Sequence, residues 1–448
     1  MQGSARVGQA GGVGGMLAAL QRPGPGRVLL VAAALHTCND AFFAVMYPIL
    51  PLIAAELGLS YAEVGLVKSL FSGSSAVLQL PAGLLGEKLG EYLLLAWGNG
   101  WVAAGLLGMA AATSLPVLLV AAVLAGLGGN LQHPLASTMV ARAFESGRRG
   151  TAIGTLNFAG DLGKMAAPAL VTLVALPFGW RATLVALGVF GIAFSVGVAL
   201  LRSWTGPPGP LDASAEGASA RSGVAAAPSG AAASSAQPSA SPVRTATSSH
   251  STRAVHADAP ARSDAIPPAY WLLSFVGLLD GSTRAAALTF LPFAFERQGI
   301  GAVETGLLFG LIFLGGAVGK LICGPLGDRF GPFALVAVTE TTTALALLGL
   351  VWGPPIAAVG LAVVFGFGLN GTSSVLYAAV ATLVPDGKRG RGYGLYYTII
   401  DVAAALATVA YGVLADWSGL SWTFALMALL TFAVVPLAAP LRSRLVAA

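Results

Sequence analysis

The chain has 448 residues, of which 56% are hydrophobic and only 10% are charged, and its mean hydropathy is +0.79. Soluble domains carry about 25% charged residues, so this composition excludes an ordinary soluble protein and indicates a polytopic membrane protein. The formal net charge of +5 does not require a nucleic-acid partner, because most of the basic residues fall in connections beside the lipid bilayer.

Apolar stretches long enough to span a bilayer follow one another along most of the chain. A spanning helix needs about 20 mostly apolar residues. On that measure the sequence predicts an all-α membrane protein with twelve transmembrane helices. They run approximately over 28–54, 62–86, 92–112, 116–142, 150–176, 181–202, 269–295, 303–325, 333–352, 356–383, 391–416 and 420–441. Residues 1–27 and 443–448 are predicted to be terminal tails.

The two halves of the chain repeat each other, which predicts two pseudo-symmetric six-helix bundles at 28–202 and 269–442. Residues of the same type or role recur 240 positions apart. The matched pairs are Asn130 with Asn370, Arg149 with Arg389, Gly150 with Gly390, Gly154 with Gly394 and Asp161 with Asp401. In membrane proteins, such repeats are typical of transporters whose site lies between the halves.

Residues 203–268 differ in composition from the rest of the chain. They consist mainly of Ala, Ser, Pro and Gly with scattered charges. Such a segment buries too little apolar surface to fold, so we expect a disordered cytoplasmic linker between the bundles. A solvated spacer and a regulatory or docking segment both fit this composition.

Basic residues in the connections predict the orientation. Most of the 24 lysines and arginines fall on the side that carries both termini, whereas the opposite side holds only Arg181 and Arg297. Under the positive-inside rule, both termini are therefore cytoplasmic in a multi-pass protein of the inner (plasma) membrane.

Ionisable residues inside the predicted spans identify a possible proton pathway, since such groups line a cavity or pair with a neighbour. His36 and Asp40 lie four apart on one face of the first helix, as a proton site or as a structural pair. Asp280 stands one turn before Arg284 on the seventh helix, where the two either neutralise each other or take part in transport. Asp401 has no base beside it. The predicted proton-coupling residues are His36, Asp40, Asp280 and Asp401.

Lys164 is the best candidate for holding an anionic substrate, because His133 on the preceding helix lies at comparable depth. Asp161 precedes Lys164 by three residues and compensates its charge. Asn130 and Asn370 either bind substrate or tie helices together. The predicted substrate-binding residues are Asn39, Asn130, His133, Asn157, Asp161, Lys164, Arg284 and Asn370. Three further ionisable residues lie nearer the predicted helix ends and are expected to reach the interface: Lys68, Lys320 and Glu340.

The loop after the second helix of each half carries a repeated motif. Its copies read Gly83-Leu-Leu-Gly-Glu-Lys-Leu-Gly90 and Gly324-Pro-Leu-Gly-Asp-Arg-Phe-Gly331. With this loop the chain resembles the major facilitator superfamily, whose signature reads G-x-x-x-D-R-x-G-R. The resemblance implies that Glu87 seats near the N-terminus of the eleventh helix and stabilises the outward-facing state. The implied conformational-gate residues are Gly83, Glu87, Lys88, Gly324, Asp328 and Arg329.

Motifs in three helices resemble the fosmidomycin-resistance group of efflux proteins within that superfamily. They are His36-Thr-Cys-Asn39-Asp40, Gly128-Gly-Asn-Leu-Gln-His133-Pro134 and Gly160-Asp-Leu-Gly163. The group tends to show H-x-x-N-D, H-P-E and G-G-N-x-G at these places. Leu135 and Asp161 depart from the second and third motifs. The resemblance implies efflux of a small compound.

No catalytic or nucleotide-binding motif stands out in the sequence. It has no phosphate loop, no His-Glu-x-x-His and no cysteine pair at metal spacing. We therefore predict no enzyme, no cofactor and no metal, and a monomeric secondary transporter that exchanges protons for a small anionic or amphiphilic compound by alternating access. Two alternatives remain: proton-coupled uptake of a small organic anion, and a transporter-like sensor that signals through the linker.

Overall fold

The computed structural model describes residues 24–77, 90–144, 146–201, 267–384 and 389–442. These residues are almost entirely helical, and they contain no strand. Several sequence predictions fall outside the described residues. They are the predictions for most of both tails, for nearly all of the linker, and for Gly83, Glu87 and Lys88.

We number the helices α1 to α12 in chain order. The first half contains α1 (Pro25–Leu57), α2 (Tyr61–Val77), α3 (Glu91–Ala110), α4 (Leu115–Leu127 and Gln132–Ala143, joined by the 3-10 turn Gly129–Leu131), α5 (146–178) and α6 (180–200). The second half contains α7 (Pro268–Arg297), α8 (Ala302–Phe330), α9 (Pro332–Trp352), α10 (Ala358–Leu383), α11 (Arg389–Ser418) and α12 (Leu420–Ala438).

The boundary between α5 and α6 lies at Gly179, within the helical run Ser146–Leu200. Its φ of 80° and ψ of 165° interrupt the helix. Only glycine adopts a positive φ without steric cost, so this residue lets the chain turn back into the bundle. Each predicted span corresponds to one helix, although several helices are longer than predicted. Helix α8 continues to Phe330, five residues beyond the predicted end at 325.

Length and composition agree with a membrane location. Among the described residues, eight helices are long and apolar enough to cross a bilayer. Large apolar side chains also remain on the outside, such as Trp417 at 86% exposure and Trp422 at 73%. Exposed apolar surface of this kind is expected where lipid replaces water as the solvent.

The two halves pack by the same scheme. In the first half α1 packs on α5, α2 on α4 and α3 on α6, and in the second half α7 packs on α11, α8 on α10 and α9 on α12. Small residues bring the backbones together in these pairs. Gly163 of α5 lies directly against the backbone of Thr37, and Gly315 of α8 against the backbone of Val363. The pairing gives each half the architecture expected from the internal repeat.

The halves meet along two symmetry-related helix pairs, α2 with α11 and α5 with α8. In the first pair, Gly65 packs on the backbone of Thr408, and the Ser69 hydroxyl donates a hydrogen bond of 2.6 Å to the carbonyl of Ala405. In the second pair, Gly310 faces the carbonyl of Met165. These two seams enclose the polar centre described below.

Among the described residues, the interface between the halves is packed closely at one end of the bundle, the closed end, and loosely at the other, the open end. At the closed end, the Tyr61 ring packs edge-on against Phe293, with centroids 5.4 Å apart, and the Tyr47 ring stacks on Phe309 at 5.7 Å. At the opposite end, a side chain added at Gly154 of α5 or Gly394 of α11 would meet no atom within 4 Å. Within the described residues, the centre is therefore covered at the closed end and less covered at the open end.

Candidate functional site

A cluster of acids and bases lies at the centre of the bundle, on helices of both halves. The Lys164 Nζ is 2.7 Å from the Asp40 Oδ2 and 3.6 Å from the Asp161 Oδ1. Asp161 also accepts hydrogen bonds from the Nζ of Lys320 at 2.8 and 3.0 Å. Because Asp161 belongs to α5 and Lys320 to α8, this last ion pair joins the two halves at their interface.

His36 and His133 extend the cluster within the first half. The His36 Nε2 is 3.4 Å from the Asp40 Oδ2. The rings of His36 and His133 meet edge-on, with centroids 4.9 Å apart. His36 and Asp40 are buried at 2% and 3% exposure, whereas His133 is exposed. His133 therefore lies on the accessible side of the cluster, and the Asp40 carboxylate on the buried side.

Close packing of α5 on α1 holds the buried part of the cluster in place. The Thr37 hydroxyl donates a hydrogen bond of 2.8 Å to the carbonyl of Ala159. A Cβ at Gly160 would lie 2.6 Å from both the Asp40 Oδ2 and the His36 Cδ2. The glycine is thus required for this approach, which sets Lys164 one turn further along α5 against Asp40.

The charges in the cluster balance, which explains how it exists in a membrane interior. Asp40 and Asp161 supply two carboxylates, and Lys164 and Lys320 supply two ammonium groups. Breaking a buried pair by removing one partner costs about 3–5 kcal/mol, because it leaves an uncompensated charge. The side chains of Lys164 and Lys320 are still 29% and 39% exposed. Part of each lysine side chain is therefore exposed beside the cluster.

His36, Asp40 and His133 also have donor atoms within 4.8 Å of one another, which is a spacing that could hold a metal ion. The Lys164 ammonium already occupies the Asp40 carboxylate at 2.7 Å. A cation at the three residues would have to displace that ammonium or lie beside it at a repulsive distance. The arrangement favours an anionic ligand at the lysines over a metal at the histidines.

The predicted residues of the second half form a separate polar group. The Arg284 Nη2 lies 3.2 Å from the Asp280 Oδ2, and its Nη1 donates a hydrogen bond of 2.6 Å to the Ser373 hydroxyl. Asp280 is buried at 4% exposure, while Asp401 on α11 is half-buried. The structure therefore brings Asp280 and Arg284 together and does not place them in the cluster around Asp40.

The predicted asparagines occupy different surroundings. Asn39 is buried at 2% exposure and Asn157 is exposed, so the two do not share one surface. Asn370 of α10 packs against Gly316 of α8, which matches the role of tying helices together. The backbone of Asn130 lies in the 3-10 turn that interrupts α4, and its side chain is outside the described part of the structure.

The predicted interfacial positions of three ionisable residues are wrong. Lys68 is 5% exposed and Glu340 is 1% exposed, and Lys320 pairs with Asp161 at the interface of the halves. The Lys68 Nζ donates a hydrogen bond of 2.6 Å to the Ser72 hydroxyl and lies 4.6 Å from the centroid of the Tyr47 ring. Apolar runs underestimate the length of α8, and Lys320 is therefore ten residues from its end rather than five.

The second copy of the repeated loop lies at the open end. Gly324 is half-buried in α8, and Arg329 is exposed with its guanidinium 5.4 Å from the centroid of the Phe330 ring. The side chain of Asp328, like the first copy of the loop, lies outside the described part of the chain. The gating contact implied for Glu87 stays a prediction.

Sequence reasoning missed Lys320 as a part of the central cluster, and it missed the contact of the buried Lys68 with Tyr47 nearer the closed end. A lysine inside a glycine-rich run, as in Gly316-Ala-Val-Gly-Lys320, carries a signal for this, because an uncompensated charge there requires a partner on another helix. The identity of that partner cannot be read from spacing, since Asp161 is 159 residues away in sequence.

Comparison with known proteins places this architecture in a described family. The family model described as Major Facilitator Superfamily matches residues 32–251 and 271–446. The "Uncharacterized MFS-type transporter YfnC" of Bacillus subtilis is 26% identical over 419 residues, which cover 92% of each chain. The "Probable sulfoacetate transporter SauU" of Cupriavidus necator is 26% identical over 393 residues, covering 82% of each chain.

Two further similarities concern part of the chain and its fold. The "Fosmidomycin resistance protein" of Escherichia coli is 31% identical over 144 residues, which cover 32% of this chain and 35% of that protein. A crystal structure of a bacterial homologue of the human lysosomal transporter Spinster, inward-facing and occupied, matches with a TM-score of 0.72 at 15% identity. That match covers 95% of this chain and 98% of the other.

Proposed function

Since this chain belongs to the major facilitator superfamily, we propose that it carries a small organic anion across the inner membrane together with protons, by alternating access. Like its relatives, it is a membrane transporter and not an enzyme. The observation that supports the substrate class is the pair of partly exposed lysines, Lys164 and Lys320, whose ammonium groups both lie beside Asp161.

The ion pairs suggest how substrate and protons are linked. An anion that binds Lys164 competes with the Asp40 carboxylate for the same ammonium group. When the ammonium turns to the anion, the Asp40 carboxylate is left without its partner in a buried site, and it regains stability by taking up a proton. Anion and proton therefore bind together rather than in turn. Joint binding gives co-transport, and its direction in a cell with an inward proton gradient is uptake.

Export in exchange for protons, which the sequence analysis puts first, is the second candidate. It is favoured by the similarity to the fosmidomycin resistance protein over 144 residues and by the motifs around His36 and His133. Exchange requires that the proton and the substrate exclude each other from the site. A cationic or neutral substrate could compete with a proton for Asp40 in that way, whereas an anion could not.

The orientation proposed from the basic residues indicates which side of the membrane the open end faces, and so which conformational state the protein is in. Arg181 and Arg297 lie at the closed end, and Arg149 and Arg389 lie at the open end. With both termini in the cytoplasm, the open end faces inward, which agrees with the inward-facing state of the Spinster homologue. We further propose that the protein works as a monomer, with the cluster of acids and bases between its two halves as the binding site.

Flux measurements in proteoliposomes test this proposal. An imposed pH gradient is challenged with a panel of small carboxylates, sulfonates, phosphonates and hydrophobic drugs. We expect one class of small anion to move in the same direction as protons. The Asp40→Asn variant should still exchange labelled anion but should lose accumulation driven by the gradient. Movement of substrate and protons in opposite directions would instead establish export by exchange.

A further inference from the structure

A second set of buried ionisable groups lies in the other half of the protein, on α7, α9 and α10. Asp280 and Arg284 of α7 form an ion pair at 3.2 Å, and Arg284 is also bonded to the Ser373 hydroxyl of α10. Glu340 of α9 interacts electrostatically with both Asp280 and Arg284. Two carboxyl groups therefore share a single guanidinium.

Glu340 is the most deeply buried carboxyl of this set. It is 1% exposed, and its carboxyl has hydrogen-bonding interactions with the Asp280 carboxyl and the Thr372 hydroxyl. The nearby Thr372 hydroxyl donates to the Thr339 hydroxyl at 2.7 Å. The position is well inside α9, which runs from Pro332 to Trp352. Glu340 therefore cannot reach solvent as an interfacial acid would.

The charge balance of these groups requires one bound proton. The other titratable groups that interact with Arg284 are Tyr377 of α10 and Tyr396 and Asp401 of α11. The two tyrosines are uncharged near neutral pH, and Asp401 is a third, half-buried acid. Helix α12, which packs on α9, has no charged residue between Leu420 and Ala438. With Asp280 and Glu340 both ionised, at least one negative charge would remain without a partner, at a cost of several kcal/mol. Asp280 holds the ion pair, so the proton belongs to Glu340.

We propose that Glu340 carries a proton in this state and is a second proton-coupling site, a role that rests on the proposed proton-coupled transport. When Arg284 turns to a substrate anion, Asp280 loses its cationic partner and takes the proton of Glu340, and Glu340 takes up a replacement proton from the open end. Both acids are then neutral, and one proton has been bound together with the anion. The Arg284 side chain is 20% exposed, so this exchange connects the buried acid with the open end.

Infrared spectroscopy of the purified protein tests whether Glu340 holds a proton. At neutral pH the wild type should show the C=O stretch of a protonated carboxyl, and Glu340→Gln should lose that band. Glu304→Gln serves as the matched control, since Glu304 is an exposed acid in the first turn of α8. A band that persists unchanged in Glu340→Gln would overturn the proposal.

Flux in proteoliposomes tests whether that proton is coupled to transport. Glutamine has the shape of a protonated glutamate, so Glu340→Gln should keep anion exchange and lose accumulation driven by the pH gradient. Wild-type accumulation in Glu340→Gln would overturn the coupling role alone. A wild type without proton-linked flux would overturn the proposed function as well, while the infrared band still reports on the proton. Should Glu340→Gln not fold, Asp280→Asn should lose both the band and gradient-driven accumulation, because Glu340 then becomes the carboxylate that pairs with Arg284; a band that persists unchanged in that variant would overturn the proposal.

Discussion

At the scale of single residues, the sequence predicted contacts within a helix but not the ion pair between Asp40 and Lys164, which lie on different helices. The four-residue spacing of His36 and Asp40 predicted their contact, because residues i and i+4 share a helix face. The spacing of Asp161 and Lys164 predicted a pair as well. The shorter distance is nevertheless the one from Lys164 to Asp40, on another helix. A choice between two acids depends on how α5 packs on α1, which residue spacing does not encode.

The same limit applies to Lys320 and Glu340. Each is recognisable in sequence as an ionisable residue within an apolar run. Whether such a residue reaches the interface or is buried depends on the true ends of its helix and on the neighbouring helices. Apolar composition marks those ends poorly where a helix continues as a polar segment beyond the bilayer, as α8 does to Phe330.

Replacement of Lys164 by glutamine tests its role in binding an anion. The variant removes one of the two ammonium groups of the cluster, and a hydrogen bond to a charged group contributes about 1.5–3 kcal/mol. We expect the affinity for the transported anion to fall about 10- to 100-fold, as measured by calorimetry with purified protein. Arg297→Gln, at an exposed base at the end of α7, should leave the affinity unchanged. Equal affinity in both variants would make Lys164 a structural partner of Asp40.

At the scale of the helices, glycines set how closely the elements that carry the site approach one another. The repeat of Gly150 and Gly154 with Gly390 and Gly394 was visible in the sequence. At Gly154 and Gly394 a Cβ would meet no atom, whereas one at Gly160 would lie against the Asp40 and His36 side chains. Sequence cannot distinguish a glycine that faces open space from one that carries a helix contact, since both occur in the same helix.

This contrast within α5 gives a matched pair of variants. Gly160→Ala should force α5 away from α1, because the added methyl group would lie 2.6 Å from the Asp40 Oδ2. Overpacking of this kind costs about 1–3 kcal/mol, so we expect a lower melting temperature and a loss of gradient-driven transport. Gly154→Ala adds the same methyl group where no atom lies within 4 Å, and it should retain both. If the two variants had the same melting temperature and transport activity, close packing at Gly160 would not be what stability and transport depend on.

At the scale of the whole molecule, the sequence predicted the fold but not the conformational state, that is, which end of the bundle is open. The prediction of an all-helical membrane protein of two six-helix halves is confirmed by the family match and by the fold shared with the Spinster homologue. Hydropathy and the 240-residue repeat carry that information because they reflect the bilayer and the internal symmetry. The state depends on small differences between two packings of the same halves. Neither hydropathy nor repeats report on such differences.

One contact at the closed end stabilises the observed state across the two halves. Asp416, near the end of α11, accepts hydrogen bonds of 2.8 Å from the backbone N–H groups of Tyr61 and Ala62. These groups open α2, where the helix dipole favours a negative charge. At the opposite end, the gate implied by the resemblance would pair Glu87, in the loop after α2, with the N-terminus of α11. With that predicted contact, the pseudo-symmetry of the fold would supply a helix-terminus contact for each conformational state.

Removal of this cap should shift the conformational equilibrium. A side chain that caps a helix N-terminus contributes about 0.5–2 kcal/mol, so Asp416→Ala should raise the population open at this end about 2- to 30-fold. Spin labels at the exposed positions Ala55 and Arg297, one in each half at the closed end, would report longer distances in the variant. Glu296→Gln, at an exposed acid on the same end, is the control. A distance distribution in Asp416→Ala that matches the control would mean that aromatic packing around Tyr61, rather than the cap, holds this end closed.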